Sequence, residues 1–162
     1  MTETVATQNL RPETDAELRA RIEALLTRRD RKGSEAVIKA LLALYEKQTP
    51  DERGAEEVHH DNGEGFTVHD ATMGTRHVQW YYKVQAENRA SGRNEGKGFM
   101  TPKMVAYWQQ PPARDQTKKP RILKYVGQLA RIAREKGNVR MVPRTPRKKA
   151  APEDAGQPEM AV

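Results

Sequence analysis

The chain has 162 residues and no cysteine, with 29 Lys and Arg against 22 Asp and Glu for a formal net charge of +7. This length suits one domain, the missing thiols exclude a disulfide framework, and no apolar run approaches the length of a membrane-spanning helix. The opening MTETVATQNLRPE lacks the basic-then-apolar order of a signal peptide, so a cytoplasmic protein is expected.

Apolar residues recur at helical spacing over most of residues 13–136. Thr14 and Glu17 form a capping-box pattern ahead of Leu18, Ile22, Leu25 and Leu26, which predicts a first helix ending near Arg29. Gly33 is expected to break the chain and Ser34 to cap a second helix carrying Val37, Ile38, Leu41, Leu44 and Tyr45. Thr49, Pro50 and Glu52 predict the start of a third helix running to about His59. After a turn at Asp61-Asn62-Gly63, a long helix is expected from His69 to about Ala90, with Asp70 as its cap. Thr101 and Pro102 predict a short helix through Trp108 that Pro111 and Pro112 stop. The last helix should run from about Pro120 to Lys136 and close at Gly137. The fold class expected is all-α, a small single-domain helical bundle with glycine-rich turns. Residues 1–12 and the Pro-rich tail 138–162 are expected to be disordered around a helical domain at 13–137.

The positive charge is regional. Lys and Arg minus Asp and Glu gives −5 over residues 1–72, +4 over 73–113, +11 over 114–149 and −3 over 150–162. A positive lobe on an acidic body attracts polyanions, and nucleic acid is the commonest intracellular one. A membrane surface fits less well, because the basic helix carries only Tyr125 as a bulky aromatic. At the rotation of about 100° per residue of an α-helix, Arg121, Lys124 and Arg131 share one arc while Ile122, Tyr125, Val126, Leu129 and Ile132 share the other. The first arc is expected to face outward along a phosphate backbone. Lys118, Lys119, Arg140, Arg144, Arg147, Lys148 and Lys149 extend the same sign on both flanks.

Two short echoes, Gly63-Glu64-Gly65-Phe66 and Gly96-Lys97-Gly98-Phe99, each precede a helix. Their glycines can present N–H groups to a phosphate, with Lys97 and Lys103 assisting in the second copy. The competing account is structural, in which the glycines make left-handed turns and Phe66 and Phe99 anchor the core. Neither copy has the spacing of a Walker loop or a dinucleotide fingerprint.

Catalytic and metal chemistry find little support. His59, His60, His69 and His77 lie near Asp61 and Asp70, but adjacent histidines point different ways and the spacing matches no metal-binding pattern. No catalytic residue, metal or cofactor is expected, and the chain reads as a protein that is not an enzyme. Trp80, Tyr81, Tyr82, Tyr107 and Trp108 could stack on bases, although aromatics at helical spacing usually belong to a core.

The pattern Asn62-x-x-Gly65-Phe66, then Asp70-Ala71, then Thr101-Pro102-Lys103, then Lys124-Tyr125-x-x-Gln128-Leu129 resembles a family of small phage and mobile-element proteins of uncharacterised function. The similarity spans about residues 41–135. This chain departs from it by a longer stretch between Asp70 and Thr101 and by the insertion from Pro111 to Pro120. The resemblance implies a mobile-element accessory protein working near nucleic acid and brings no catalytic residue. The sequence thus points to largely sequence-independent nucleic-acid binding, DNA ahead of RNA, through the basic C-terminal helix and tail, with no membrane association. The alternative is a protein-interaction module, an accessory factor docking on a host protein through the acidic N-terminal helices.

Overall fold

The computed structural model describes residues 9–48 and 64–145. They form a mostly helical chain with five α-helices and a single short two-stranded ribbon among the described residues. The expected helix at 49–59, the turn at Asp61-Asn62-Gly63 and the tail from residue 146 lie outside them.

Helix α1, Asp15–Leu26, starts at the expected capping box: Glu17 N–H donates to Thr14 Oγ1 at 3.3 Å and Thr14 N–H to Glu17 Oε2 at 2.7 Å. It buries Leu18 and Leu26. Helix α2, Arg31–Glu46, departs from expectation at its start, because Asp30 rather than Ser34 is the cap and accepts from Gly33 N–H at 3.0 Å. Gly33 does not break the chain. It lies inside the first turn, where a Cβ would stand 1.9 Å from the Arg28 carbonyl oxygen, so only glycine permits the close turn between α1 and α2.

Helix α3, Ala71–Ser91, is the longest described helix, yet its buried residues all lie in its first half, ending at Val78. Its Asp70 cap position makes no side-chain capping bond, contrary to expectation. Gly92, at φ 67°, ends α3 in the left-handed conformation, and a 3-10 turn at Asn94–Gly96 leads back to helix α4, Pro102–Gln109. Thr101 caps α4 through Met104 N–H at 3.2 Å, with Pro102 in its first turn as expected.

The predicted last helix is two segments. Arg121–Tyr125 is a 3-10 turn, and helix α5 proper runs over Val126–Glu135. Pro120 cannot donate a helical N–H, and its carbonyl accepts from Leu123 N–H at 3.0 Å, which sets the tighter winding. The chain then turns at Gly137, at φ 72°. Strand β1, Leu10–Pro12, pairs antiparallel with strand β2, Met141–Pro143, with Arg11 opposite Val142. Both strands lie in segments expected to be without structure.

A single hydrophobic cluster holds the helices together, drawn from α2 (Val37, Leu41, Leu44), the start of α3 (Ala71, Val78), α4 (Val105, Trp108) and the last helical segment (Ile122, Leu129, Ile132). Phe66 is central to it. Its ring stacks on Trp108 at 5.7 Å and meets Tyr125 edge-on at 6.2 Å. Phe99, the partner in the glycine echo, is 52% exposed and anchors nothing in the core.

Candidate nucleic-acid interface

The expected outward arc of Arg121, Lys124 and Arg131 does not form. A 3-10 turn advances by more than an α-helix per residue, so the first positions leave the arc drawn at α-helical spacing. Arg121 turns inward: its Nη1 donates to Tyr107 O at 2.8 Å and its guanidinium lies 4.0 Å above the Tyr107 ring. Lys124 Nζ is 2.5 Å from Oδ2 of Asp70, a carboxylate only 4% exposed. Arg131 lies in a mixed-charge group with Lys47, Glu64 and Glu135. There Lys47 pairs with Glu135 at 2.9 Å, which holds the lysine above its ordinary pKa.

The remaining α5 cations are matched as well. Arg134 lies 3.4 Å from Asp15, and Lys136, just beyond the helix, 3.5 Å from Glu46. The acids come from α1 and α2, so individual acids of the N-terminal helices pair with these cations within the fold. Residues far apart in sequence make these pairs.

Exposed positive charge without an ion pair sits on the loop from Gln110 to Arg121. Arg121 clasps its two ends, its backbone N–H donating to Gln110 O at 3.0 Å while the side chain holds Tyr107 O. Within the loop Asp115 accepts from Thr117 N–H at 3.1 Å and from the Thr117 hydroxyl at 2.5 Å, and these bonds hold its pKa below the usual carboxylate range. Asp115 is therefore engaged in the turn. Arg114, Lys118 and Lys119 are exposed and make no ion pair among the described residues. Arg114 was absent from the expected site, although the charge count of its segment included it.

Other expected residues are scattered. Lys97 pairs with Glu95 at 2.6 Å, which raises the lysine pKa and lowers that of the glutamate. Lys103 is exposed at the start of α4. Gly98 presses on the Tyr81 ring, where a Cβ would come within 2.5 Å of Cζ, so the glycine serves a close packing contact. Arg140 and Arg144 flank β2, and Arg147, Lys148 and Lys149 lie outside the described residues. The structure thus divides the expected set and joins Lys118 and Lys119 with Arg114.

The chain matches no protein-family model, no curated protein and no solved structure. Of the residues quoted for the phage-family resemblance, Asn62 lies outside the described residues, and Gly65 and Asp70 meet Gln128 and Tyr125 in space. Gln128 Oε1 accepts from Gly65 N–H at 3.0 Å and its Nε2 donates to Gly65 O at 3.3 Å. The Tyr125 hydroxyl donates to Asp70 Oδ2 at 2.6 Å and accepts from Thr67 N–H at 3.0 Å. Burial, then the carboxylate, pushes the Tyr125 pKa up. The Gly65-Phe66 and Asp70 block and the Lys124 to Leu129 block are thus two halves of one buried junction.

Among the described residues, no group of three or more His, Asp or Glu could hold a metal ion, and no helix is long and apolar enough to cross a membrane. His59 and His60 lie outside the described residues. His77 is buried on the Trp108 side of α3, where its Nδ1 accepts from Trp108 Nε1–H at 2.9 Å, and burial lowers its pKa.

A termini clasp was also missed at the level of sequence. Glu13, 4% exposed, accepts from Arg21 at 2.5 and 3.1 Å and from Arg140 N–H at 2.9 Å. The hydrogen bond from Arg21, then that from the Arg140 N–H, brings the Glu13 pKa down to about 2.

Proposed function

We propose that the protein binds nucleic acid largely independently of sequence, duplex DNA ahead of RNA, by phosphate contacts from the loop between α4 and the last helical segment. One observation carries this: cations on and beside α5 lie against acids of the fold, whereas Arg114, Lys118 and Lys119 stand exposed on a loop clasped at both ends. A clasped loop loses less conformational freedom on binding, so its charges contribute more of their attraction. Lys103, Lys97, Arg140, Arg144 and the basic run Arg147, Lys148 and Lys149 supply further positive potential. The helices act as a small bundle with glycine-rich turns that presents the loop, and no catalytic step is involved. Such binding suits an accessory protein of a phage or other mobile element acting in the cytoplasm, the role implied by the resemblance. The test is the affinity for duplex DNA at rising salt: phosphate contacts weaken steeply, and affinity independent of salt contradicts them.

The second reading, an interaction module docking on a host protein, has its own observation. A groove of about 670 Å³ opens between α1, α2 and α5, lined by Ile22, Leu25, Ala36, Leu42, Ile132 and Ala133 among others. Its charged rim is mixed, with Arg21, Lys32, Lys39 and Lys136 beside Glu35 and Glu46, and an apolar contact there would change little with salt.

A further inference from the structure

Of the aromatics that the sequence offers for stacking, the fold buries Trp108 completely and sets Tyr107 edge-on against it at 5.3 Å, but leaves Trp80 40% exposed. Trp80 lies just past the last buried residue of α3, Val78. The chain after α3 doubles back along this unburied half. Asn88 Nδ2 donates to Lys97 O at 2.7 Å, and Gly98 rests on the ring of Tyr81. This return path brings Phe99, 52% exposed, to the level of α3 that carries Trp80.

A cation flanks the Trp80 ring, and others lie along the same stretch of chain. Lys83 Nζ stands 5.9 Å from the centre of the Trp80 ring. Lys83, Arg89, Arg93 and Lys103 are exposed and make no ion pair among the described residues. Residues 73–113 carry a net charge of +4, and their acids are Glu87 and Glu95. Glu95 is held by Lys97, on which Glu35 of α2 also acts, so Glu87 is the acid that this half of α3 itself carries.

Exposed aromatic faces beside exposed cations match a partner with flat π-faces joined by phosphates. A protein interface core, by contrast, is depleted in lysine. We propose that the outer half of α3, from Trp80 to Arg93, together with Phe99 forms a stacking surface for single-stranded nucleic acid. It takes the class of partner from the proposed nucleic-acid binding and adds a second mode, in which unpaired bases lie on Trp80 and Phe99 while Lys83 meets the backbone. A base-paired duplex hides its base faces and cannot engage the rings.

The chain has two tryptophans, and Trp108 is 0% exposed, so quenching of the intrinsic emission reports on Trp80. Titration of the full chain with single-stranded oligothymidylate should quench that emission. Trp80→Ala should bind the strand roughly tenfold more weakly, as expected for loss of one stacked base, with unchanged thermal melting. Trp80→Tyr should restore most of the affinity, and Glu87→Gln should raise it. Strand binding without quenching, at equal affinity in Trp80→Ala, overturns the stacking surface while leaving the loop's phosphate contacts standing. Failure of the wild-type chain to bind both oligothymidylate and duplex DNA overturns both proposals. Quenching by vesicles of anionic phospholipid but not by oligothymidylate overturns this one in favour of a lipid surface.

Discussion

The Tyr125 hydroxyl donates to Asp70 at 2.6 Å across 55 positions of chain, and both side chains are almost fully buried. This bond ties the start of α3 to the last helical segment and explains why Asp70 does not cap its helix: its carboxylate serves Tyr125 and Lys124 instead. Tyr125→Phe keeps the ring against Phe66 but removes the donor to Asp70 and the acceptor for Thr67 N–H. Buried polar groups left unpaired cost about 1–3 kcal/mol, and a loss of unfolding free energy of that size, read from a lower urea midpoint, is expected. An unchanged midpoint would show that Asp70 and Thr67 find other partners.

Gly74 leads to a destabilisation that helix propensity alone would not suggest. Alanine normally favours a helix interior over glycine, yet a Cβ here would stand 2.6 Å from the Phe66 ring, itself wedged between Trp108 and Tyr125. Gly74→Ala should therefore destabilise by about 1–3 kcal/mol, the usual cost of overpacking. Thermal melting of the variant checks the sign, and a gain in stability contradicts the packing.

His77 gives the fold an acid-sensitive point. Burial lowers its pKa below the ordinary value, and protonation would also remove the Nδ1 lone pair that accepts from Trp108. A group depressed in the folded state contributes stability that is present above its unfolded pKa, about 6.5, and is lost as pH falls through the folded value. Urea midpoints should therefore fall between neutral and mildly acidic pH, and fall less in His77→Gln, where the amide oxygen still accepts. Equal pH dependence in both proteins would remove His77 as the cause.

Glu13 controls the termini rather than the core. Its pKa, lowered to about 2 mainly by the hydrogen bond from Arg21, gives a contribution fully present above the ordinary carboxylate value of 4.5 and lost as pH falls toward 2. Glu13→Gln should release the ribbon, so amide exchange at Val142 accelerates while amides of α2 and α5 keep their protection. Uniform acceleration across the chain would make the clasp part of the global fold.

Much of the helical architecture was legible because its signals are local. The Thr14–Glu17 box, the Thr101 cap with Pro102 after it, and the apolar stripe of α2 each depend on residues within a turn or two of one another. Gly33 was misread because glycine signals both a break and a close approach, and only the proximity of Arg28 distinguishes them. The site was less legible, since a charge count cannot say which cations are matched. Arg134 with Asp15 and Lys136 with Glu46 become pairs only when α5 lies across α1 and α2. The inward turn of Arg121 depended on 3-10 winding after Pro120, which periodicity at α-helical spacing does not register. Leu10–Pro12 and Met141–Pro143 are too short and proline-rich to read as strands, and Glu13 joins them through partners at the far end of the chain.

Whether the loop makes the phosphate contacts is read most directly from the slope of log K against log salt for duplex DNA, compared between two variants. In one, Arg114, Lys118 and Lys119 are all changed to Gln; in the other, Arg134 and Lys136 are. If the loop makes the phosphate contacts, the first variant should bind more weakly with a slope flatter by about 2 to 3 units, while the second keeps the slope of the wild-type chain. A loop variant with unchanged affinity and slope, or an α5 variant that loses both, would contradict the account.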